Sequence, residues 1–161
     1  MLVVPYFKQN RYYTCGPVCL RMVLAYWGYE TDEISLSMLC GTNVFGTSAK
    51  QLLNAAQQLG FKGEYRFKCQ YSILSQSLRK HLPLIVAVDP NIIYQRQRHS
   101  YAKHDIVILE AKRDRIIYHD PEVGPNLSVL PAIFKDAWKQ AQKEAILIWP
   151  AEETITKRLK R

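Results

Sequence analysis

Residues 104–121 read HDIVILEAKRDRIIYHDP, and this stretch decides the fold. It contains two runs of strand length, an apolar one at 106–109 and an Ile- and Tyr-rich one at 115–119, on either side of a charged turn at 112–114. Two such runs joined by a short polar turn predict an antiparallel hairpin. Asp120-Pro121 would end the second strand, since proline cannot donate to a strand ladder.

The open end of this hairpin is predicted to bring an imidazole and a carboxylate together. Side chains alternate between the two faces of a strand, and a three-residue turn sets Ile106 opposite Asp120, which places His104 and Asp120 on one face. A carboxylate in that position can fix the tautomer of an imidazole and support its charged form. We therefore expect His104 to act as a general base and Asp120 to orient it. Asp105 is an alternative orienting residue, although strand alternation turns it away from His104.

A nucleophile for this pair is predicted at Cys15. Pro17 fits a first helical turn, and apolar residues follow at helical spacing up to Trp27, with Gly28 as the C-terminal cap. Cys15 therefore lies at or just before a helix N-terminus, where the helix dipole favours a thiolate. Gln9, six residues earlier, carries an amide that can donate a hydrogen bond to the oxyanion formed when a thiolate attacks a carbonyl.

The rest of the chain predicts an α+β fold in which N-terminal helices pack on an antiparallel sheet. We see no repeat and no linker, so residues 1–161 are expected to form a single domain with a basic tail at about 151–161. Residues 91–103 are expected to be a loop. Helices and strands outside the hairpin are predicted at 32–40, 47–60, 72–81 and around Phe134 and Trp138 (helices), and at 84–88 and 145–149 (strands).

The order of these motifs resembles the C39 peptidase family, the papain-like double-glycine leader peptidases best known as N-terminal domains of bacteriocin-exporting ABC transporters. The resemblance covers most of the chain. It is carried by Gln9, Cys15-Gly16-Pro17, Gly46-Thr47-Ser48, Leu59-Gly60-Phe61, Leu82-Pro83-Leu84-Ile85, His104 to Leu109, His119-Asp120-Pro121, Phe134 and Trp138.

The resemblance implies a papain-like cysteine peptidase fold, a Cys15-His104-Asp120 triad with Gln9 at the oxyanion hole, and cleavage of leader peptides after Gly-Gly. Two residues depart from the family pattern: Thr14 stands where an acid is usual, and Asp105 where an aromatic is common. No transporter follows within the 161 residues, so we expect a stand-alone domain, and a separate transporter partner stays open.

Three functions remain open on these residues. The first is peptide hydrolysis, and the second is thiol acyl transfer, in which an amine takes the place of water; both pass through an acyl-enzyme. The third is a non-catalytic C39-like domain that binds a peptide without cutting it. For hydrolysis after small residues, we expect a narrow cleft beside Cys15, walled by aromatics such as Tyr12, Tyr13 or Trp138.

Composition and charge limit the classes of partner that we expect. Hydrophobic residues make up 48% and charged residues 22%, and the net charge is +8. That charge favours an acidic helical leader peptide, whereas the basic residues are scattered and no nucleic-acid motif occurs, so nucleic acid is not expected. No apolar run approaches the ~20 residues of a membrane span, and the N-terminus does not look like a signal peptide, which predicts a cytoplasmic protein. Four cysteines without metal-ligand spacing predict free thiols, and neither metal nor cofactor is implied.

Overall fold

The computed structural model describes residues 1–97 and 103–152. Residues 98–102 of the loop expected at 91–103 and residues 153–161 of the basic tail lie outside the described residues. No helix in the two described ranges is long and apolar enough to cross a membrane. The elements in chain order are α1 (Cys15–Tyr26), α2 (Glu33–Cys40), α3 (Ala49–Gln58), β1 (Phe61–Arg66), α4 (Ser72–Arg79), β2 (Leu84–Val88), α5 (Pro90–Ile93), β3 (His104–Ala111), β4 (Ile116–Asp120), β5 (Gly124–Val129), α6 (Pro131–Gln140) and β6 (Ala145–Pro150).

Six strands form one sheet in the order β1-β6-β2-β3-β4-β5, and every pair of neighbours is antiparallel. The central strands β2 and β3 carry continuous apolar runs because both of their faces are buried. Ile85 and Val107 pack with α1, α2 and α3 on one face, and Val86 and Ile106 pack with α4 and α6 on the other.

The predicted α+β fold is confirmed, with three corrections. Helices cover both faces of the sheet, whereas only the N-terminal ones were expected to pack on it. Strands β1 and β5 were not predicted, and α5 lies in a segment expected to be a loop. Ser48 caps α3 through a reciprocal pair of hydrogen bonds with Gln51, as its position before the apolar pattern predicts.

The β3–β4 hairpin has the predicted register at its open end but a different turn. Val107 pairs with His119 and Ile108 with Tyr118. The turn contains two residues rather than three, since the Lys112 N–H donates to the Arg115 carbonyl at 2.9 Å. A bulge between Ile108 and Glu110 adds the residue that the shorter turn omits, and it restores the register that places position 104 near position 120.

Candidate active site

Cys15 is the first residue of α1, and its side chain is partly exposed while most of the helix behind it is buried. The first turn of a helix leaves its N–H groups without intrahelical acceptors. Pro17 has no N–H. The N–H groups at this end of α1 include those of Cys15 and Gly16. A thiol beside these donors lies at the positive end of the helix dipole, which favours its ionised form.

His104 and Asp120 form a buried pair at the open end of the hairpin. His104 begins β3, Asp120 ends β4, and the His104 Nε2 lies 2.7 Å from the Asp120 Oδ1. The Asp120 side chain is fully buried and the His104 side chain is 8% exposed. The carboxylate also accepts hydrogen bonds from the Glu122 and Val123 N–H groups, at 2.8 and 3.2 Å. The Tyr94 hydroxyl donates to the Asp120 Oδ2. The Asp120 carboxylate therefore has four polar partners.

Tyr94 is a site residue that the sequence interpretation missed. It follows the short helix α5, in a segment expected to be a loop, and its hydroxyl also accepts a hydrogen bond from the Tyr118 hydroxyl at 3.3 Å. No motif in the sequence indicates that the residue after α5 reaches the carboxylate at the end of β4. The two tyrosines therefore fix the side of the carboxylate that faces away from His104.

The electrostatics of the pair favour a charged imidazole. Burial by itself lowers the pKa of His104, but the hydrogen bonds to Asp120 and Cys15 outweigh it and raise the pKa to about 10. Burial raises the pKa of Asp120, yet the hydrogen bond and the charge of His104 hold it below its usual value. An imidazolium flanked by a carboxylate and a thiol at a helix N-terminus is the arrangement that supports a thiolate.

The structure thus brings His104 and Asp120 together, as the hairpin register predicts, and it places the Cys15 side chain next to His104. Because the His104 Nε2 faces Asp120, the ring nitrogen left for the Cys15 side chain is Nδ1. Asp105 does not orient His104. Its carboxylate lies on the opposite face of β3, where a Cβ added at Gly16 would be 3.0 Å from its Oδ2.

Gln9 lies in a loop tied to the same end of the sheet. Its N–H donates to the Pro121 carbonyl at 2.8 Å, next to Asp120. Its side chain is largely buried, and Nε2 donates to the Arg11 carbonyl at 2.8 Å, which uses one of the two amide hydrogens. The second hydrogen is the one that an oxyanion could accept.

A buried carboxylate that no sequence motif singles out, that of Glu33, holds this loop in place. Glu33, the first residue of α2, accepts hydrogen bonds from the N–H and the Nδ2 of Asn10 and lies within hydrogen-bonding distance of the Thr14 hydroxyl. In the family that the sequence resembles, an acid usually stands at the position of Thr14. Here the Thr14 hydroxyl instead contacts the carboxylate of Glu33. Glu33 connects both ends of the loop that carries Gln9 to Cys15.

A cleft of about 760 Å³ opens beside Cys15. It is lined by Ile85, Ala87 and Ile146 of the sheet and by residues 45–51, which lead into α3. The expected walls are wrong: Tyr12, Tyr13 and Trp138 do not line it, and Trp138 is 1% exposed because it packs under the other face of the sheet. The aromatic residues that line the cleft are Phe45 and Tyr65.

The remaining histidine and thiols near the site are structural. The His119 Nε2 donates to the Val4 carbonyl at 2.9 Å, while its Nδ1 accepts from the Asn126 N–H, and burial lowers its pKa. Burial raises the pKa of Cys19, Cys40 and Cys69, and all four cysteines are free thiols. In the part of the chain that the structure describes, no three His, Cys, Asp or Glu side chains are grouped to hold a metal ion.

Comparisons with known proteins agree with this geometry. The sequence profile of the Peptidase C39 family matches residues 3–153. The lactococcin-G-processing and transport ATP-binding protein LagD of Lactococcus lactis subsp. lactis is 31% identical over 110 residues, which are 68% of this chain and 14% of that protein. The chain therefore matches a small part of a much longer relative.

Solved structures share the fold. The peptidase domain of Streptococcus ComA, a bifunctional ABC transporter, superposes with a TM-score of 0.71 at 24% identity, over 90% of this chain and 97% of that one. A double glycine motif protease from an AMS/PCAT transporter, solved in complex with its leader peptide, gives a TM-score of 0.70 at 20% identity, over 92% and 93% of the two chains. The predicted papain-like fold is thus confirmed.

Proposed function

Because the chain belongs to the Peptidase C39 family, we propose that it is an active cysteine peptidase that cleaves leader-type peptides after Gly-Gly. The observation that carries this proposal is the contact series from the Cys15 side chain to His104, and from the His104 Nε2 to the Asp120 Oδ1 at 2.7 Å. A nucleophile, a base and an orienting carboxylate in hydrogen-bonding sequence can perform covalent acyl transfer.

In the acylation half-reaction, the Cys15 thiolate, paired with an imidazolium that carries its proton on the His104 Nδ1, attacks the carbonyl carbon of the scissile bond. The oxyanion that forms accepts hydrogen bonds from the Cys15 N–H and the second hydrogen of the Gln9 Nε2. His104 then protonates the amine, the C–N bond breaks, and the acyl group stays on Cys15 as a thioester.

In the second half-reaction, the neutral His104 takes a proton from water, which attacks the thioester carbonyl. The C–S bond breaks, the carboxylate product leaves, and Cys15 and His104 return to their first state. Asp120 keeps its charge throughout and stabilises the imidazolium in each half-reaction. An amine in place of the water would give acyl transfer with the same residues.

The substrate proposal rests on the relatives. One solved relative is a double glycine motif protease in complex with a leader peptide, and another relative is a processing and transport protein for lactococcin G. The +8 charge of this chain favours an acidic helical leader, because complementary charge increases association at low salt. No partner transporter is implied by the geometry of the site.

The test is a set of synthetic leader peptides that differ only in the two residues before the cut, assayed at low and high ionic strength with products identified by mass spectrometry. We expect cleavage after Gly-Gly, weaker cleavage at high salt, and intact peptide with Cys15→Ala. Equal acceptance of Leu or Phe would contradict the double-glycine specificity. Cleavage that persists in Cys15→Ala would contradict the peptidase assignment itself.

A further inference from the structure

Asp105 is a carboxylate in the cleft that the proposed mechanism does not use. It lines the cavity together with Cys15, and a Cβ built at Gly16 would meet its Oδ2 at 3.0 Å. Strand alternation puts it on the same face of the sheet as Ala87, its partner on β2, which also lines the cleft. Its carboxylate therefore faces the space that a substrate would enter.

The other charged groups of the cleft are engaged or in water. Lys103 and Glu144 form an ion pair at 2.8 Å, and the Tyr65 hydroxyl also donates to that carboxylate, at 3.1 Å. Lys50 is exposed on α3, where water and salt screen its charge. Within residues 1–97 and 103–152, no hydrogen bond or ion pair satisfies the Asp105 carboxylate. Asp105 is partly exposed to the cleft. Its partial desolvation raises its pKa to about 6, against the charges of His104 and Lys103, which lower it.

A carboxylate in this position has a cost for the proposed chemistry. A negative charge beside Cys15 opposes the formation of the thiolate that attacks the substrate. A cation bound in the cleft would neutralise Asp105, replace its lost hydration and remove this repulsion. One positively charged group of the substrate would therefore remove the repulsion of the thiolate. The same group would supply the hydrogen-bond donor that Asp105 lacks.

We propose that Asp105 is a specificity-determining residue that binds the Lys or Arg side chain of a substrate residue lying close to the scissile bond. The inference rests on the proposed function, since the cleft receives this segment only if Cys15 is the nucleophile. The recognised chemistry is an ammonium or guanidinium group that donates to a carboxylate in a partly desolvated cleft. Asp105 contacts no reacting atom in this assignment and determines which peptide is cut.

The experiment scans one Lys through the four residues before the cut and the two after it in a Gly-Gly peptide. Norleucine at the same positions is the control, because it has a straight apolar side chain without the charge. At one position Lys should raise kcat/KM over norleucine by roughly 10- to 100-fold, the range expected for a hydrogen-bonded charge pair. Glu at that position should be the poorest substrate.

Two variants separate the charge of Asp105 from its shape. Asp105→Asn should bring the Lys-to-norleucine ratio close to one, while Asp105→Glu should retain a preference for Lys. Asp114→Asn, in the exposed hairpin turn at the far end of β3, should leave the ratio unchanged. The wild-type scan alone tests the inference if Asp105→Asn fails to fold.

Two outcomes overturn the inference: no position at which Lys is preferred, or a preference that survives Asp105→Asn. Either can occur while Cys15→Ala still abolishes cleavage, and then the proposed peptidase function stands. Cleavage independent of Cys15 would instead overturn the proposed function. A preference for Lys at one of the two glycine positions would support the role of Asp105 and contradict the double-glycine specificity.

Discussion

Replacing Asp120 by Asn removes one charge from the site while retaining most of its hydrogen bonds. An amide oxygen at the Oδ1 position can still accept from the His104 Nε2 and from the Glu122 and Val123 N–H groups. The amide nitrogen at the Oδ2 position meets the Tyr94 hydroxyl, which can accept a hydrogen bond instead of donating one. The substitution therefore isolates the effect of the carboxylate charge.

The magnitude follows from the pKa of His104, which is raised from 6.5 to about 10. A shift of that size corresponds to about 5 kcal/mol, of which Asp120 supplies a large part, and breaking a buried pair costs about 3–5 kcal/mol. A raised pKa stabilises the fold fully below the unfolded value, near pH 6.5, and the contribution is lost as the pH rises through about 10. Asp120→Asn should therefore cost most stability near pH 6 and much less near pH 10.

Two assays measure this prediction. Urea unfolding at pH 6, 8 and 10 should show a gap between wild type and Asp120→Asn that narrows as the pH rises. The alkaline limb of the kcat/KM profile should move from near pH 10 in wild type towards 6.5 in the variant, with kcat lower by roughly 10²–10⁴ at neutral pH. Asp114→Asn is the control, and it should change neither the stability in urea nor the alkaline limb of the kcat/KM profile. A stability gap that is constant with pH, or an alkaline limb that does not move, would refute the charge-pair argument.

Three further predictions concern single side chains. Gln9→Ala should lower kcat by ~10²–10³ with little change in KM, because an oxyanion donor acts in the transition state; wild-type kcat would remove Gln9 from the oxyanion hole. Tyr94→Phe leaves the Asp120 Oδ2 without its hydroxyl donor. The variant should lower kcat about 10-fold and move the alkaline limb of the kcat/KM profile. Unchanged kinetics would leave Tyr94 a purely structural role. Gly63→Ala puts a Cβ 2.7 Å from the Leu147 carbonyl oxygen, so the urea midpoint should fall by the equivalent of about 1–3 kcal/mol, and an unchanged midpoint would show that the β1–β6 pairing adapts.

Local patterns were sufficient for the elements that carry the predicted triad. The apolar spacing after Cys15 predicted α1, and the two apolar runs after His104 predicted the hairpin that brings position 120 to position 104. The turn at 112–114 was predicted with one residue too many, and the register was still right because a bulge compensates. Bulges depend on packing across the sheet, which a single strand does not reveal.

The unpredicted parts depend on contacts between distant segments. Strand β1 has Gly63 at its centre and charged residues on its outer face, so its alternation is too weak to stand out. The wall of the cleft was assigned to Trp138 from its aromatic character, but α6 packs on the face of the sheet away from α1. The position of Asp105 in the cleft follows from the close approach of β3 to Gly16, which no spacing along the chain indicates.

The central claim is that His104 activates Cys15 as a nucleophile, and thiol alkylation tests it without any knowledge of the substrate. The folded protein is treated with iodoacetamide near pH 6, and the labelling rate of each cysteine is followed by peptide mapping, with the urea-unfolded chain as the control in which all four thiols react. We expect Cys15 to be labelled at least ~10-fold faster than Cys69, since burial raises the pKa of Cys69, and His104→Ala to remove most of this advantage. Equal rates at Cys15 and Cys69 in the folded wild type, or a Cys15 rate that His104→Ala does not change, would contradict the account.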